Sequence, residues 1–284
     1  IIYNGDARFN FFLDAYCATF MDTDSSEIHL NTPFIFGQTY GYKNIAIYKG
    51  ENSISFTRRQ RLNTSAYIIA VENALATDWN GFDYIEFRGG ILNNLFSCHA
   101  LESEHKDDGS IQINLYDDTE HYKFALGDCE CEFVIGSAAN ESFGLTGISI
   151  TNNEAILLLK FNNSQPLNSA FDYICKVKEM LSIMAFRKNI DFDEIYLHHD
   201  NRNLSKMQVF LKSDVQTTKK DIVHNITFPE LGEGISKLAS IIFNSKDKEV
   251  AFEIGFIPNS DKDIHWISND KVRLICSALE CELS

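Results

Sequence analysis

Hydrophobic and polar positions alternate with two different periods along this chain, and the clearest stretch runs from residue 166 to residue 200. Apolar residues at three- and four-residue steps predict one amphipathic helix there; they are Leu167, Ala170, Phe171, Ile174, Val177, Leu181, Met184 and Ala185. Pro166 suits the first helical position, and Asn189 is the predicted left-handed exit. An extended segment ending in I-Y-L-H should follow a turn at Asp193-Glu194. We expect the strand-rich chain before this helix to cover its apolar face.

The first hundred residues are predicted to be mainly β-structure. Residues 44–61 predict a hairpin that turns at Gly50-Glu51-Asn52. The alternation D-Y-I-E-F predicts a strand over residues 83–87, which passes through Gly89-Gly90 into a short helix. Residues 64–75 are compatible with a strand or a helix.

Turn residues divide the next hundred residues into closely spaced short strands. The predicted strands are 110–116, 122–126, 129–135, 144–150 and 155–161, with turns that include 137–140 and 152–153. M-Q-V-F-L-K predicts a closing strand, and helical spacing returns from Phe228 onward. The predicted fold class is α+β: a mainly antiparallel β-sandwich or curved meander with one central amphipathic helix and a helical C-terminal segment.

The change from strand-like to helical spacing near the C-terminal end predicts that the chain has two regions. Residues 1–220 form a β-rich region, with a split into two β subdomains near residues 100–110 left open, and residues 226–284 form a helical segment. The chain starts without Met and stops inside the helical pattern V-R-L-I-C-S-A-L-E-C-E-L, so we expect a fragment of a longer protein.

Composition predicts a cytoplasmic protein that does not enter a membrane. The sequence has no apolar run of about 18 residues and no basic start of the kind a signal peptide carries. Its seven cysteines are scattered, and several lie in apolar runs, which is typical of reduced thiols in a core.

The net charge of −15 is concentrated in one segment. Residues 101–135 contain ten acidic residues and two lysines, a difference that accounts for eight of the fifteen net charges. Nucleic acid binding depends on Lys and Arg that neutralise phosphates, so this fragment should bind nucleic acid poorly. A solvated face that keeps the protein soluble is the alternative interpretation.

Few residues combine into a chemical site. Arg58, Arg59 and Arg61 form the densest basic cluster and are the candidate ligand-binding residues, for a phosphate or an acidic partner. Neighbouring strand residues face opposite sides, so His198 and His199 cannot easily share one metal ion.

The other candidates are equally weak. Cys129 and Cys131 share a strand face but lack two further zinc ligands, while Asp128, Glu130 and Glu132 are interpreted as a wet strand face. We predict no catalytic residue, metal or cofactor for this fragment.

Four sequence blocks carry a resemblance to a known family. D-W-N-G-F-D-Y-I-E-F-R-G-G-I-L-N-N-L-F, F-G-L-T-G-I-S-I followed by A-I-L-L-L-K-F, the central helix with its I-Y-L strand, and K-V-R-L-I-C-S-A-L-E together resemble the N-terminal region of ApeA-type HEPN proteins. The resemblance implies a following helical HEPN domain that is similar to an RNase and acts in abortive defence of bacteria against phage. The HEPN catalytic pattern, Arg followed four to six residues later by His, would lie beyond Ser284.

We therefore expect a ligand-sensing or regulatory module that responds to a phage- or host-derived ligand and controls its own C-terminal helical domain. Two alternatives remain open: a β-sandwich that binds carbohydrate or another small ligand, and a stand-alone hydrolase that uses paired carboxylates. A sugar-binding face would need a row of exposed Trp or Tyr, and Trp79 and Trp266 are far apart in the sequence. A homo-oligomer is also left open.

Overall fold

The fold was analysed in a computed structural model of the 284-residue chain. The residues that the structure describes are 7–10, 28–30, 33–38, 43–48, 54–56, 61–64, 66–71, 77–96, 101–115, 118–144, 147–201, 203–212, 226–245 and 257–258.

Strands dominate the described part of the chain. They are β1 (Ala7–Asn10), β2 (Ile28–Leu30), β3 (Phe34–Gln38), β4 (Asn44–Tyr48), β5 (Ile54–Phe56), β6 (Arg61–Thr64), β7 (Ala66–Ala70), β8 (Gly81–Arg88), β9 (Leu101–His105), β10 (Ile111–Leu115), β11 (Glu120–Leu126), β12 (Cys129–Gly144), β13 (Gly147–Pro166), β14 (Glu194–His198) and β15 (Met207–Leu211). The helices are α1 (Gly90–Leu95), α2 (Ala170–Met184), α3 (Phe228–Leu231) and α4 (Gly234–Asn244), and a 3-10 turn at Leu167–Ser169 leads into α2. This architecture confirms the predicted α+β, mainly antiparallel fold class.

The chain divides into two compact units, residues 1–80 with 196–214 and residues 81–195 with 215–284. In the first unit, β15 pairs with β7, β7 with β4 and β4 with β3, all antiparallel. Two smaller antiparallel pairs, β1 with β6 and β2 with β5, belong to the same unit. The predicted division into residues 1–220 and 226–284 stays a prediction.

The second unit is built on an antiparallel sheet in the order β11, β12, β13, β8. One face of this sheet carries large apolar side chains that are fully buried, such as Ile85, Phe87, Phe133 and Leu157. Helix α4 contributes to the same core, because the ring of Phe243 lies 5.9 Å from that of Phe133.

The central helix confirms its predicted apolar face. Every residue of that face is buried: Leu167, Ala170, Phe171, Ile174, Val177, Leu181, Met184 and Ala185. On the same helix, Tyr173 contacts the sheet through the ring of Phe161, 4.8 Å away, and the ammonium of Lys176 donates to the carbonyl of Phe243 at 2.6 Å. Burial of this face explains why the helix forms, since packing rather than propensity supplies most helical stability.

The exit from α2 differs from the prediction. The residue with a left-handed backbone is Phe186, with φ of 49°, and not Asn189. The amide of Phe186 donates to the carbonyl of Ile183 at 3.2 Å, and that of Arg187 donates to the carbonyl of Ser182 at 3.1 Å. This pair of bonds defines a Schellman motif, whose geometry fixes the left-handed position two residues after Met184 whatever residue stands there.

The predicted hairpin over residues 44–61 is wrong. Strand β4 pairs with β3 and β7, whereas β5 pairs with β2. Ile45, Ala46 and Ile47 are all buried, so β4 is apolar on both faces and takes a central place between two five-residue strands. The G-E-N turn itself lies outside the described residues.

Two predicted turns are also wrong, because β12 and β13 run through residues 137–140 and 152–153. The irregularity that remains is a register shift between Ala138 and Asn140. The amide and hydroxyl of Ser137 both donate to the carboxylate of Asp118. These bonds satisfy polar groups that would otherwise favour a turn, and the two strands instead meet at Gly144 and Gly147.

The remaining elements follow the sequence more closely. The predicted strand 83–87, the short helix after Gly89-Gly90 and the closing strand are β8, α1 and β15. A capping box between Thr227 and Glu230 starts α3, and Ile235 and Ile242 bury one face of α4 while Ile241 is 59% exposed. Within the described residues, every helix falls short of the length and apolarity that crossing a bilayer requires.

Candidate functional site

The strands β8 and β13 place charged residues on the sheet face opposite the core of the second unit. Ile85 and Phe87 point into the core, so the alternating residues Glu86 and Arg88 occupy the other face. Arg88 lies opposite Ile156 in the register, and Glu154 is two residues before Ile156 on the same face of β13.

These three side chains form one ionic network. The Nε atom of Arg88 lies 2.5 Å from Oε1 of Glu86, and its Nη1 atom lies 3.1 Å from Oε1 of Glu154. Glu86 is only 8% exposed, whereas Arg88 and Glu154 remain partly accessible. Burial of a carboxylate is costly unless a cation lies directly against it, and the guanidinium of Arg88 occupies that position.

The network carries an excess of negative charge. Burial alone would lower the pKa of Arg88, but the hydrogen bond and charge of Glu86, with the charges of Glu154 and Glu194, raise it above its ordinary value. One guanidinium thus faces three carboxylates, a net charge of about −2 with all groups ionised. The accessible side of this cluster attracts cationic groups and repels phosphate.

The turn beside the network is held by Asp193. Its amide donates to the carbonyl of Arg88 at 2.9 Å, and its Oδ2 atom accepts from the amide of Gly90 at 3.3 Å. A Cβ atom on Gly89 would lie 3.0 Å from the nitrogen of Asp193, so only glycine permits this approach. The turn therefore fixes the end of β8, and with it Arg88 and the neighbouring Glu194.

The arrangement favours recognition over acid–base catalysis. An acid and base pair works when its environment separates the pKa values of two carboxyl groups. Here the same cation, Arg88, binds both Glu86 and Glu154 and holds both carboxylates in one cluster. Such a fixed pair of carboxylates can accept hydrogen bonds from an ammonium or guanidinium group.

The structure does not bring the predicted arginine cluster together as a described site. Arg61 begins β6, opposite Asn10, while Arg58 and Arg59 lie outside the described residues. The ligand-binding role of Arg58, Arg59 and Arg61 stays a prediction.

The histidines His198 and His199 lie at the end of a strand, and the cysteines Cys129 and Cys131 lie within one. His198 ends β14 and His199 follows it, as expected for a strand that enters a loop. Burial of Cys131 raises the pKa of its thiol to about 12, with smaller contributions from Cys129 and Glu130. Throughout the described part of the chain, no three His, Cys, Asp or Glu side chains form a metal-binding group.

The acidic row on β12 is a solvated face, as interpreted from the sequence. Glu130 pairs with Lys123 at 3.3 Å and Glu132 with His121 at 3.1 Å, both across the β11–β12 ladder. Asp128 is exposed in the turn before β12. The Lys123–Glu130 pair is exposed and the His121–Glu132 pair is partly exposed, and such pairs contribute little to stability.

Sequence analysis missed the Arg88 network, although one signal pointed to it. In E-F-R the charged residues Glu86 and Arg88 stand two apart and flank the apolar Phe87. That spacing indicates a second face with its own ionic contacts. Glu154, however, lies 66 residues away from Arg88 along the chain, and no local pattern connects them.

Comparison with known proteins found no relative: no family model matches the chain, and neither the curated proteins nor the solved structures contain a match.

Proposed function

We propose that this chain is a ligand-sensing or regulatory module of a bacterial anti-phage defence protein, which acts in the cytoplasm and controls a downstream HEPN-like RNase domain. The proposal begins from the resemblance to the N-terminal region of ApeA-type proteins. Its main structural support is that two of the resembling blocks contribute paired strands to the second unit. Residues 78–96 include β8 and α1, and residues 155–161 lie in β13, the partner of β8.

The Arg88 network, of which Glu86 and Arg88 lie in the first of those blocks, is the sensing surface of this proposal. Glu86, fixed and largely buried, anchors Arg88, which in turn orients the partly exposed carboxylate of Glu154. We propose that a phage- or host-derived ligand places a cationic group against Glu154 and Glu194. Such a ligand replaces part of the solvent around charges that are already fixed, so the ordering cost of binding is small.

RNA cleavage tests the proposal at the level of the whole protein. The purified 284-residue chain should neither cleave nor strongly bind tRNA or single-stranded RNA at low salt, where electrostatic attraction is greatest. The natural full-length protein should cleave RNA in infected cells and remain inactive in uninfected ones. Cleavage by the 284-residue chain, or a reading frame that supplies no helical domain, would refute the regulatory function.

A Glu154→Gln variant of the full-length protein tests the sensing surface separately. We expect loss of the response to infection with an unchanged melting midpoint, since Glu154 is partly exposed. Glu130→Gln is the matched control, because Glu130 forms a solvated ion pair on the same sheet. Equal defence by both variants would remove the Arg88 network from sensing and leave the regulatory function itself intact.

An aromatic cluster in the first unit favours a second candidate function, binding of carbohydrate. The rings of Phe36 and Trp79 lie 5.7 Å apart, and Phe36 is 52% exposed on β3. Sugar rings stack on exposed aromatic faces because their C–H groups are apolar. Titration of glucans and chitin oligosaccharides against tryptophan fluorescence, with Phe36→Ser as the comparison, tests this function; an unchanged spectrum would refute it.

A further inference from the structure

Two thiols lie side by side at the start of β12. Cys129 is the first residue of the strand and Cys131 is the third, so both side chains leave the same face. The two thiol groups contact each other through a hydrogen bond. The sheet register fixes Cys131, which lies opposite Phe124 on one side and Phe161 on the other. This pair is separate from the Arg88 network and has no part in the function proposed above.

The two thiols differ in their access to solvent. Cys131 is 1% exposed, and burial raises the pKa of its thiol to about 12. Cys129 is partly exposed and follows the turn at Gly127-Asp128, and its thiol donates to Oδ1 of Asn162 at 2.9 Å. An oxidant from solvent therefore reaches Cys129 first. The electrophile nearest to Cys131 is then the oxidised sulfur of Cys129.

The spacing of a strand allows a disulfide between these residues, but only with strain. Successive residues of a strand rise about 3.3 Å, so two steps place the Cα atoms roughly 6.6 Å apart. Disulfides span Cα distances of about 4.4–6.8 Å, so this pair lies near the upper limit. Cys129 is better able to shift than Cys131, because it begins the strand and closes the β11–β12 ladder opposite Leu126. Strained disulfides are easily reduced, and such bonds are typically labile or regulatory.

We propose that Cys129 and Cys131 form a reversible oxidation site for hydrogen peroxide, with Cys129 as the peroxide-reactive thiol and Cys131 as the resolving thiol. The thiolate of Cys129 attacks one peroxide oxygen, the O–O bond breaks, and a sulfenic acid and hydroxide form. The thiolate of Cys131 then attacks the Cys129 sulfur, the S–O bond breaks, and hydroxide leaves as the disulfide forms. The two thiols lose two electrons in total, and one hydrogen peroxide is reduced to two waters.

Closure of this disulfide breaks polar contacts between β12 and the irregular part of β13. The bond from Cys129 to Asn162 is lost as the sulfur turns toward Cys131. The side-chain amide nitrogen of Gln165 lies 3.9 Å from the same sulfur, and its Oε1 atom accepts from the hydroxyl of Tyr173 on α2 at 2.8 Å. Oxidation thus interrupts the chain of polar contacts that links Cys129 to α2.

Peptide mapping of the oxidised 284-residue chain tests the proposal. At low micromolar protein, hydrogen peroxide should produce an intramolecular disulfide between Cys129 and Cys131 that dithiothreitol reverses. Digestion of the unfolded chain after Glu130 places the two cysteines on separate peptides, which stay joined only while the disulfide exists. Cys175, an exposed thiol on α2, is the internal control and should form no disulfide.

A Cys131→Ser variant separates the two chemical steps. Without the resolving thiol, the sulfenic acid of Cys129 should persist and react with dimedone several-fold more than in the unaltered chain. If the buried serine prevents folding, as judged by circular dichroism, Cys129→Ser takes its place. In that variant Cys131 should stay reduced at the same peroxide dose, because no oxidised partner lies next to it.

Three results would overturn the proposal. The first is a sulfenic acid that persists at Cys129 in the unaltered chain, which would mean that Cys131 does not resolve it. The second is a disulfide from Cys129 to any other cysteine or to a second copy of the chain. The third is a Cys129 that stays reduced at a peroxide dose that oxidises Cys175.

Discussion

Removing the charge of Arg88 should destabilise the second unit in a manner that depends on pH. In an Arg88→Met variant the stem of the side chain is retained, but Glu86 becomes a carboxylate that is 8% exposed and lacks its cation at 2.5 Å. Breaking a fully buried pair costs about 3–5 kcal/mol. Because Arg88 and Glu154 are partly exposed, solvent screening reduces our expectation to about 1–3 kcal/mol.

The pH dependence distinguishes a charge effect from a packing effect. Without Arg88, Glu86 would be a largely buried carboxyl group that lacks its guanidinium, and burial disfavours the charged form of a carboxyl group. A carboxyl group with a raised folded pKa is compatible with the folded state at low pH and destabilises it as pH rises. The variant should therefore lose more stability at pH 8 than at pH 5.

Urea unfolding followed by circular dichroism at the two pH values measures this effect. Lys123→Met is the control, since Lys123 forms an exposed ion pair with Glu130 on the same sheet and should change the midpoint little. In a double variant, Glu86→Gln should restore part of the stability lost in Arg88→Met. Equal losses for Arg88→Met and Lys123→Met, or a loss that is the same at both pH values, would refute the assignment of Glu86 as a buried carboxylate that depends on Arg88.

Two further sets of substitutions and one thiol-labelling experiment test other parts of the chain. Leu181→Asp should unfold the protein in circular dichroism, because an unpaired buried carboxylate costs several kcal/mol of a typical stability of about 5–15, while the exposed Ile241→Asp should melt normally. Cys131, with a thiol pKa raised to about 12, should resist iodoacetamide at pH 8 in the folded protein and react in 6 M urea, as peptide mass spectrometry can measure. Reversal of Arg59 and Arg61 to Glu in the full-length protein should abolish defence in a plaque assay without lowering the melting midpoint; unaltered defence would leave the cluster without a ligand role.

Local patterns predicted the elements whose residues are sorted between one buried and one exposed face. The apolar spacing of α2 identified its buried face, because one side of that helix is buried and the other is accessible to solvent. The strand β8 was equally clear from its alternation, and Gly89-Gly90 marked the close approach of the chain to Asp193.

The errors arose where tertiary contacts decide the structure. Strand pairing depends on partners far apart in the sequence, so the apolar run of β4 could not reveal that its neighbours are β3 and β7. The polar residues within β12 predicted a turn, because the local sequence does not show that Asp118 accepts a hydrogen bond from Ser137 and so satisfies it within the strand. The Arg88 network was missed for the same reason, since it is the pairing of β8 with β13 that brings Glu154 next to Arg88.

The exposure of Phe186 has a structural cause that differs from loop mobility. The segment between α2 and β14 is held by the bond from Lys188 to Pro258, by the 2.6 Å ion pair between Lys178 and Asp191, and by the bonds of Asp193 to the end of β8. A loop fixed at three points cannot turn its residues freely, so the Schellman geometry that ends α2 holds Phe186 in the left-handed position and directs its ring outward.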